Sequence, residues 1–424
     1  MKNRSLKRML VKKLRKFISK TQPFRSLIPF SIFSISILLS IFFIASAFMS
    51  APDWGFFGHR KINRMAVFTL PPEMIKFYKK NIEFITEHAV DPDKRRYASK
   101  HEAVRHYIDI DSWGGNPFYD VPRIFEDALI KYSEYSLVNG QDTGFVKVNY
   151  TRDSVTLDFN QRSISCQTDT FRVYFRDSIM PNYYDGIWSI SNDDLDNVFP
   201  GLSTSSNLKI VDKFSQEGIL PYHMNRMYYW LVKAFETQDL QRILRLSAEF
   251  GHYIGDAHVP LHTTKNYNGQ LTDQIGIHAF WESRLPELYA DETYSFLVGK
   301  AEMIDKPLTY FWKMVKESHD LLDEVLEIEK ELTETFPDDQ QLCYDERLDR
   351  TVRTQCPEFA YAYHDRLNGM VEDRMQDAIL AIGSVWYSAW IDAGQPDLNN
   401  LQKVEVEVEE IKVDASISTR EHNF

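Results

Sequence analysis

The chain has 424 residues, with 49 Lys and Arg against 61 Asp and Glu, a formal net charge of −12, and 43% hydrophobic residues. That size suits one large domain or two, with enough apolar content to bury a core. The acidic balance argues against a protein that grips nucleic acid by bulk charge, and three cysteines without a CxxC pair argue against zinc–thiolate chemistry.

Residues 1–26 carry ten basic side chains and no acid, and "LIPFSIFSISILLSIFFIASAF" follows from Leu27 to Phe48. A basic stretch before an apolar one predicts a signal peptide, or an anchor that stays in the membrane, over residues 1–53. The rest is then exported: periplasmic, extracellular or held by the apolar segment. Setting residues 1–53 aside removes ten basic residues and one acidic one, leaving 39 basic and 60 acidic, a formal net of −21.

From Trp54 to about Leu137 the pattern is mostly helical, most clearly in "HRKINRMAVFTL" and "PEMIKFYKKNIEFITEHAV". Over about 138–215, "GFVKVNY", "SVTLDF" and "FRVYF" alternate in polarity between Asp, Asn and Ser, which predicts short strands or irregular structure inserted between helices. Helical periodicity returns from Pro221 to about Ala393, and residues 401–424 form an acidic alternating tail. The expectation is an all-α domain over 54–400, a multi-helix bundle with one partly β or irregular insertion. Cys343 and Cys356 flank a loop-like stretch and can pair in an exported protein, leaving Cys166 over.

Ligand-type side chains gather in four places. "GHYIGDAHVPLH" holds His252, Asp256, His258 and His262. On a helix, His252 and Asp256 point within about 40° of each other, while His258 lies about 120° away and is read as structural. Pro260 tends to end the helix just before His262. "WGFFGH" places His59 five residues after Trp54, and Asp91 in "DPDKRR" precedes His106 by fifteen. "HAFWE" puts His278 and Glu282 four apart, on one helix face. Imidazoles mixed with carboxylates suit zinc, and several helices facing inward would gather them. "HEAVRH" has one residue too many for a protease zinc motif, which separates its histidines by about 140°. His223 is read as a packed or surface residue, and Tyr228, Tyr229 and Trp230 as core that could also line an apolar cleft.

Taken in order, "WGFFGH", "HYID", "HYIGDAHVPLH" and "HAFWE" resemble the zinc-dependent phospholipase C and S1/P1 nuclease family. The resemblance implies an α-helical fold and up to three zinc ions. One would take Asp91, His106, His252 and Asp256, and a second His262, His278 and Glu282. The third would take His59, the bridging Asp256, and the amino nitrogen and carbonyl oxygen of Trp54 as the mature N-terminus. Glu282 matches the phospholipase branch, whereas the Trp–His and Asp–His steps match the nuclease branch. Asp109 and Lys94 fall where the nuclease branch has residues that assist catalysis and bind phosphate.

Grouped zinc ions suit phosphodiester hydrolysis because they make water acidic near neutral pH and stabilise the attacking and leaving oxygens. The sequence therefore predicts an exported phosphodiesterase, phospholipase C-like, with transient membrane-surface contact. The alternatives are the same chemistry on single-stranded nucleic acid or nucleotides, and a non-catalytic surface or binding protein stapled by zinc. Exposed aromatics beside the metals would favour the nuclease.

Overall fold

A computed structural model describes residues 56–96, 98–201, 206–347, 350–399 and 401. The leader or anchor over 1–53, Trp54 and the acidic tail beyond Leu401 lie outside the described residues. No helix among the described residues is long and apolar enough to cross a membrane.

The helices that matter for the site are α1 (Phe56–Ala66), α2 (Asp91–Arg96), α3 (Phe125–Tyr132), α4 (Thr168–Tyr174), α5 (Leu220–Glu236), α6 (Leu240–Ala257), α7 (Pro307–His319) and α8 (Met370–Asp392). Helix α6 is central. Asp239 caps its N-terminus, its side chain accepting from Arg242 N at 3.1 Å. Every residue from Ser247 to Ala257 is buried, so its last three turns are enclosed on all sides. This enclosed half of α6 lies within the core, and α1, α5, α7 and α8 supply the walls.

The all-α expectation is corrected. Strands β1 (Glu134–Asn139), β2 (Asp142–Tyr150), β3 (Ser154–Phe159), β4 (Arg162–Gln167), β5 (Ile187–Ile190) and β6 (Asn207–Val211) form one antiparallel sheet in the order β4-β3-β2-β1-β6-β5. The protein is thus mixed α/β. The inserted region is a complete sheet because alternation gives it a buried face: Tyr135, Val146, Val155, Leu157, Trp188, Ile190, Leu208 and Ile210 all point into the core that also holds α4. Asn160 and Gln161, both with positive φ, close β3 onto β4 through the turn that matches strand twist.

A second correction lies near the C-terminus. Part of the stretch predicted as loop folds into a ribbon of β7 (Leu342–Arg347) and β8 (Arg350–Gln355), and a Cys343–Cys356 disulfide clips it. Cys166 is a free cysteine on β4.

Two hydrophobic clusters result. The larger contains the apolar faces of α1, α5, α6, α7, α8 and the sheet. The smaller gathers Val259, Leu261, Ile277, Phe280, Trp281 and Leu285 with the helices Leu322–Thr335 and Pro357–Arg366. Histidines and carboxylates collect where segments of the two clusters meet.

Candidate metal centre

Helices α1 and α6 approach closely because the "GHYIGDAH" stretch carries two glycines, Gly251 and Gly255. A Cβ on Gly251 would lie 1.9 Å from Asn63 Oδ1, and one on Gly255 would lie 2.8 Å from Ile62 Cδ1 and 2.9 Å from His59 Nδ1. With only hydrogen there, His59 stacks on His252 at 3.9 Å between ring centroids. Asn63 locks the contact by donating to Ala248 O at 2.9 Å.

Among the described residues three groups of donor atoms result, each within 4.8 Å: His59–His252–Asp256, Asp93–His106–His252, and His262–His278–Glu282. A ring nitrogen has one lone pair, so His252 Nε2 can serve only one ion, although it belongs to two groups. Asp256 has two oxygens and can bridge. Its Oδ2 lies 3.0 Å from His106 Nδ1 and 3.4 Å from His252 Nε2. Its Oδ1 lies 3.4 Å from His59 Nε2 and 3.9 Å from His262 Nε2. Glu282 divides likewise, with Oε1 3.5 Å from His59 and Oε2 at 3.4 Å from His262 and 2.8 Å from His278.

The structure brings together His59, His106, His252, Asp256, His262, His278 and Glu282 from the sequence-based set, and leaves Asp91 apart. Asp93 takes that place, its Oδ1 3.8 Å from His106 Nδ1 and 3.7 Å from His252 Nε2. Two residues along α2 turn a side chain by about 200°, so only one of the two aspartates can face the histidines. Asp91 faces His88 at 2.5 Å and Lys94 at 3.0 Å, and these hydrogen bonds outweigh burial to lower its pKa. Lys94 is thereby engaged outside the three groups. Asp109 is also outside them: it is buried, and its backbone N donates to Glu217 O at 2.7 Å. Trp54 lies outside the described residues.

The loop-borne donors are fixed differently. Pro260 starts a short 3₁₀ turn, Pro260–Thr263, that carries His262, whose carbonyl accepts from Ile108 N at 2.9 Å. Between the turn and His278, side chains replace regular structure. Thr264 Oγ1 donates to Asp111 Oδ2 at 2.8 Å, Leu271 N to Asn266 Oδ1 at 2.7 Å, and Gly276 N to Asn268 Oδ1 at 3.0 Å. His278 Nδ1 donates to Tyr267 O at 3.0 Å, which leaves its Nε2 as the donor atom toward Glu282. Glu282 sits in a π-turn, Phe280–Arg284, a widening common at functional sites.

Electrostatics favours a cation here. Burial, with the nearby negative charges of Asp93 and Glu282, pushes the Asp256 carboxyl well above its ordinary range. Burial likewise drives His106 and His252 well below theirs, so these rings are held neutral and their lone pairs are free of protons. Burial alone would raise Glu282, but the close imidazoles of His262, His278 and His59 hold it well below its usual value. Five imidazoles and three carboxylates, all with little solvent, form a donor set a metal ion can satisfy. His258 stays out of it, donating Nδ1–H to Ile254 O at 2.7 Å.

Beside the centre, residues next to two of its donors open into a groove of about 560 Å³. Tyr107 follows His106, Tyr267 holds His278, and the sheet region adds Tyr183 and Tyr184 with Lys100 and His101 on the rim. His223 is packed against Tyr253 rather than among the donors, and Tyr228 is core, whereas Tyr229 and Trp230 reach solvent.

Asp93, the glycine-permitted α1–α6 contact and the π-turn were missed by sequence reasoning. A helical wheel on "DPDKRR" separates the two aspartates but does not say which faces inward. Compared with known proteins, the chain matches no family model and no curated protein.

Proposed function

We propose that this protein is a zinc-dependent phosphodiester hydrolase of the phospholipase C and S1/P1 nuclease type. The observation that carries the reading is the convergence of eight donor residues, seven buried and Glu282 half-buried, into three neighbouring groups, with Asp256 and Glu282 each offering two oxygens to different neighbours. Asp93, His106, His252 and Asp256 would hold one zinc, His262, His278 and Glu282 a second, and His59 with Asp256 part of a third. Bound zinc would supply an acidified water and positive charge for the phosphate oxygens. The chain's own part is to keep the buried His106, His252 and His262 imidazoles neutral, orient His278 through Tyr267 O, and exclude bulk water. Lys94 and Asp109 receive no step.

A zinc-stapled binding protein fits less well. The His262–His278–Glu282 set has three protein donors, one short of a closed structural site. Among substrates, a groove with exposed Tyr184 and half-buried Tyr267 favours a nucleotide or single-stranded nucleic acid over a lipid, because accessible tyrosine rings stack on bases. The test is hydrolysis of bis(p-nitrophenyl) phosphate by protein purified without chelators. Activity lost with chelator and restored by zinc supports the reading; chelator-insensitive activity, or none with zinc bound, overturns it. Comparing dinucleotide with short-chain lecithin then separates the two substrate classes.

A further inference from the structure

Outside the metal centre, the corner between α3 and the sheet region encloses a groove of about 610 Å³, within the range of ligand pockets. Its charges are unevenly matched. Asp127 is taken by Arg172, which donates to it at 2.6 and 2.8 Å and also reaches Asp169 at 2.6 Å. Three more cations line the groove without a carboxylate partner among the described residues. Arg123 donates to the carbonyls of Val121 and Phe118 and lies 3.9 Å over the Trp312 ring. Lys131 donates to Asp120 O at 2.7 Å. Arg152 is exposed on the turn after β2 and makes no ion pair among the described residues. The side chain of Asp120 is the remaining acid in the lining. Burial also lowers the pKa of Arg123, so an anion beside it would relieve a real cost.

We propose that this groove is a second binding site, for an organic phosphate whose charged end meets Arg123, Lys131 and Arg152. The apolar part of such a ligand would lie on Phe118, Tyr119 and Tyr150. In a chain of net −12, a pocket with three unmatched cations and one free acid is a local reversal of charge. The site uses none of the metal donors and does not rest on the hydrolase reading.

The test is calorimetric titration of metal-loaded protein with phenylphosphonate, which has no ester bond to cleave, and with benzoate as the non-phosphate probe. Phenylphosphonate is expected to occupy a class of site that is weakened at least tenfold in a Lys131→Glu/Arg152→Glu variant with unchanged metal content. Arg152→Ala alone, a milder change at an exposed position, is expected to weaken the same class about threefold. No phosphonate binding, or binding that both variants leave unchanged, overturns the proposal. So does benzoate binding there as tightly as the phosphonate.

Discussion

The two halves of the donor set are held by different physics. His59, His252 and Asp256 ride on packed helices, and α6 is enclosed on all sides, so their positions follow from ridge-and-groove packing that two glycines make close. His262, His278 and Glu282 sit on a 3₁₀ turn and a π-turn joined by a loop whose backbone is satisfied by Thr, Asn and Asp side chains. The helical half draws its order from the large core; the loop half borrows it from the smaller cluster and the clipped ribbon. Arg284, two residues after Glu282, reaches Asp345 Oδ2 at 3.1 Å and Gln355 O at 3.3 Å on that ribbon. Damage to the helical half should therefore be chemical, and damage to the loop half partly mechanical.

The largest effect is expected from Asp256→Asn. It weakens the one residue that faces both His106 and His59, so metal content should fall by at least one ion per chain and diesterase activity by on the order of 10³-fold. Elemental analysis with a chromogenic diester reads both. Glu282→Gln should loosen only the loop-borne ion, lowering its affinity about 10- to 100-fold while the helix-borne ion stays, as a chelator competition would show. Asp93→Asn and Asp91→Asn sharpen the comparison within α2. The first should cost metal, and the second should leave metal content intact and lower stability by about 1 kcal/mol through the lost contacts to His88 and Lys94.

Opening the ribbon with Cys343→Ser/Cys356→Ser is expected to cost about 3 kcal/mol for a closure of 13 residues, read by denaturant melting. The loop-borne ion should then exchange faster than the helix-borne one. The smallest effect is a pH dependence. Burial raises Glu287, on the helical turn after the π-turn, to about 7, so its neutral form is favoured in the folded protein. Its contribution is full below the unfolded carboxylate value near 4.5 and is lost as pH rises towards 7. Glu287→Gln should flatten that loss, gaining about 1 kcal/mol at pH 8 and nothing at pH 4, measured as a shift in Tm.

Much of the site could be read from the sequence because its donors repeat at helical spacing within short stretches: His252 and Asp256, His278 and Glu282. What escaped depends on contacts between distant segments. Choosing Asp93 over Asp91 requires knowing which side of α2 faces α6, and that is set by tertiary packing. The sheet escaped for a related reason. Individual strands such as "SVTLDF" alternate visibly, yet β1 pairs with β6 across some seventy residues, Tyr135 opposite Ile210, and no local pattern announces that partner. The β7–β8 ribbon is charged along its length, so it lacks the apolar alternation that marks a half-buried strand.

The most direct measurement is the metal content of protein purified without chelators, set beside that of Asp256→Asn. At least two zinc ions per chain in the wild type, with a loss of one or more in the variant, is the expected result. A wild-type chain that stays metal-free when zinc is freely offered would contradict the metal centre, and with it the hydrolase.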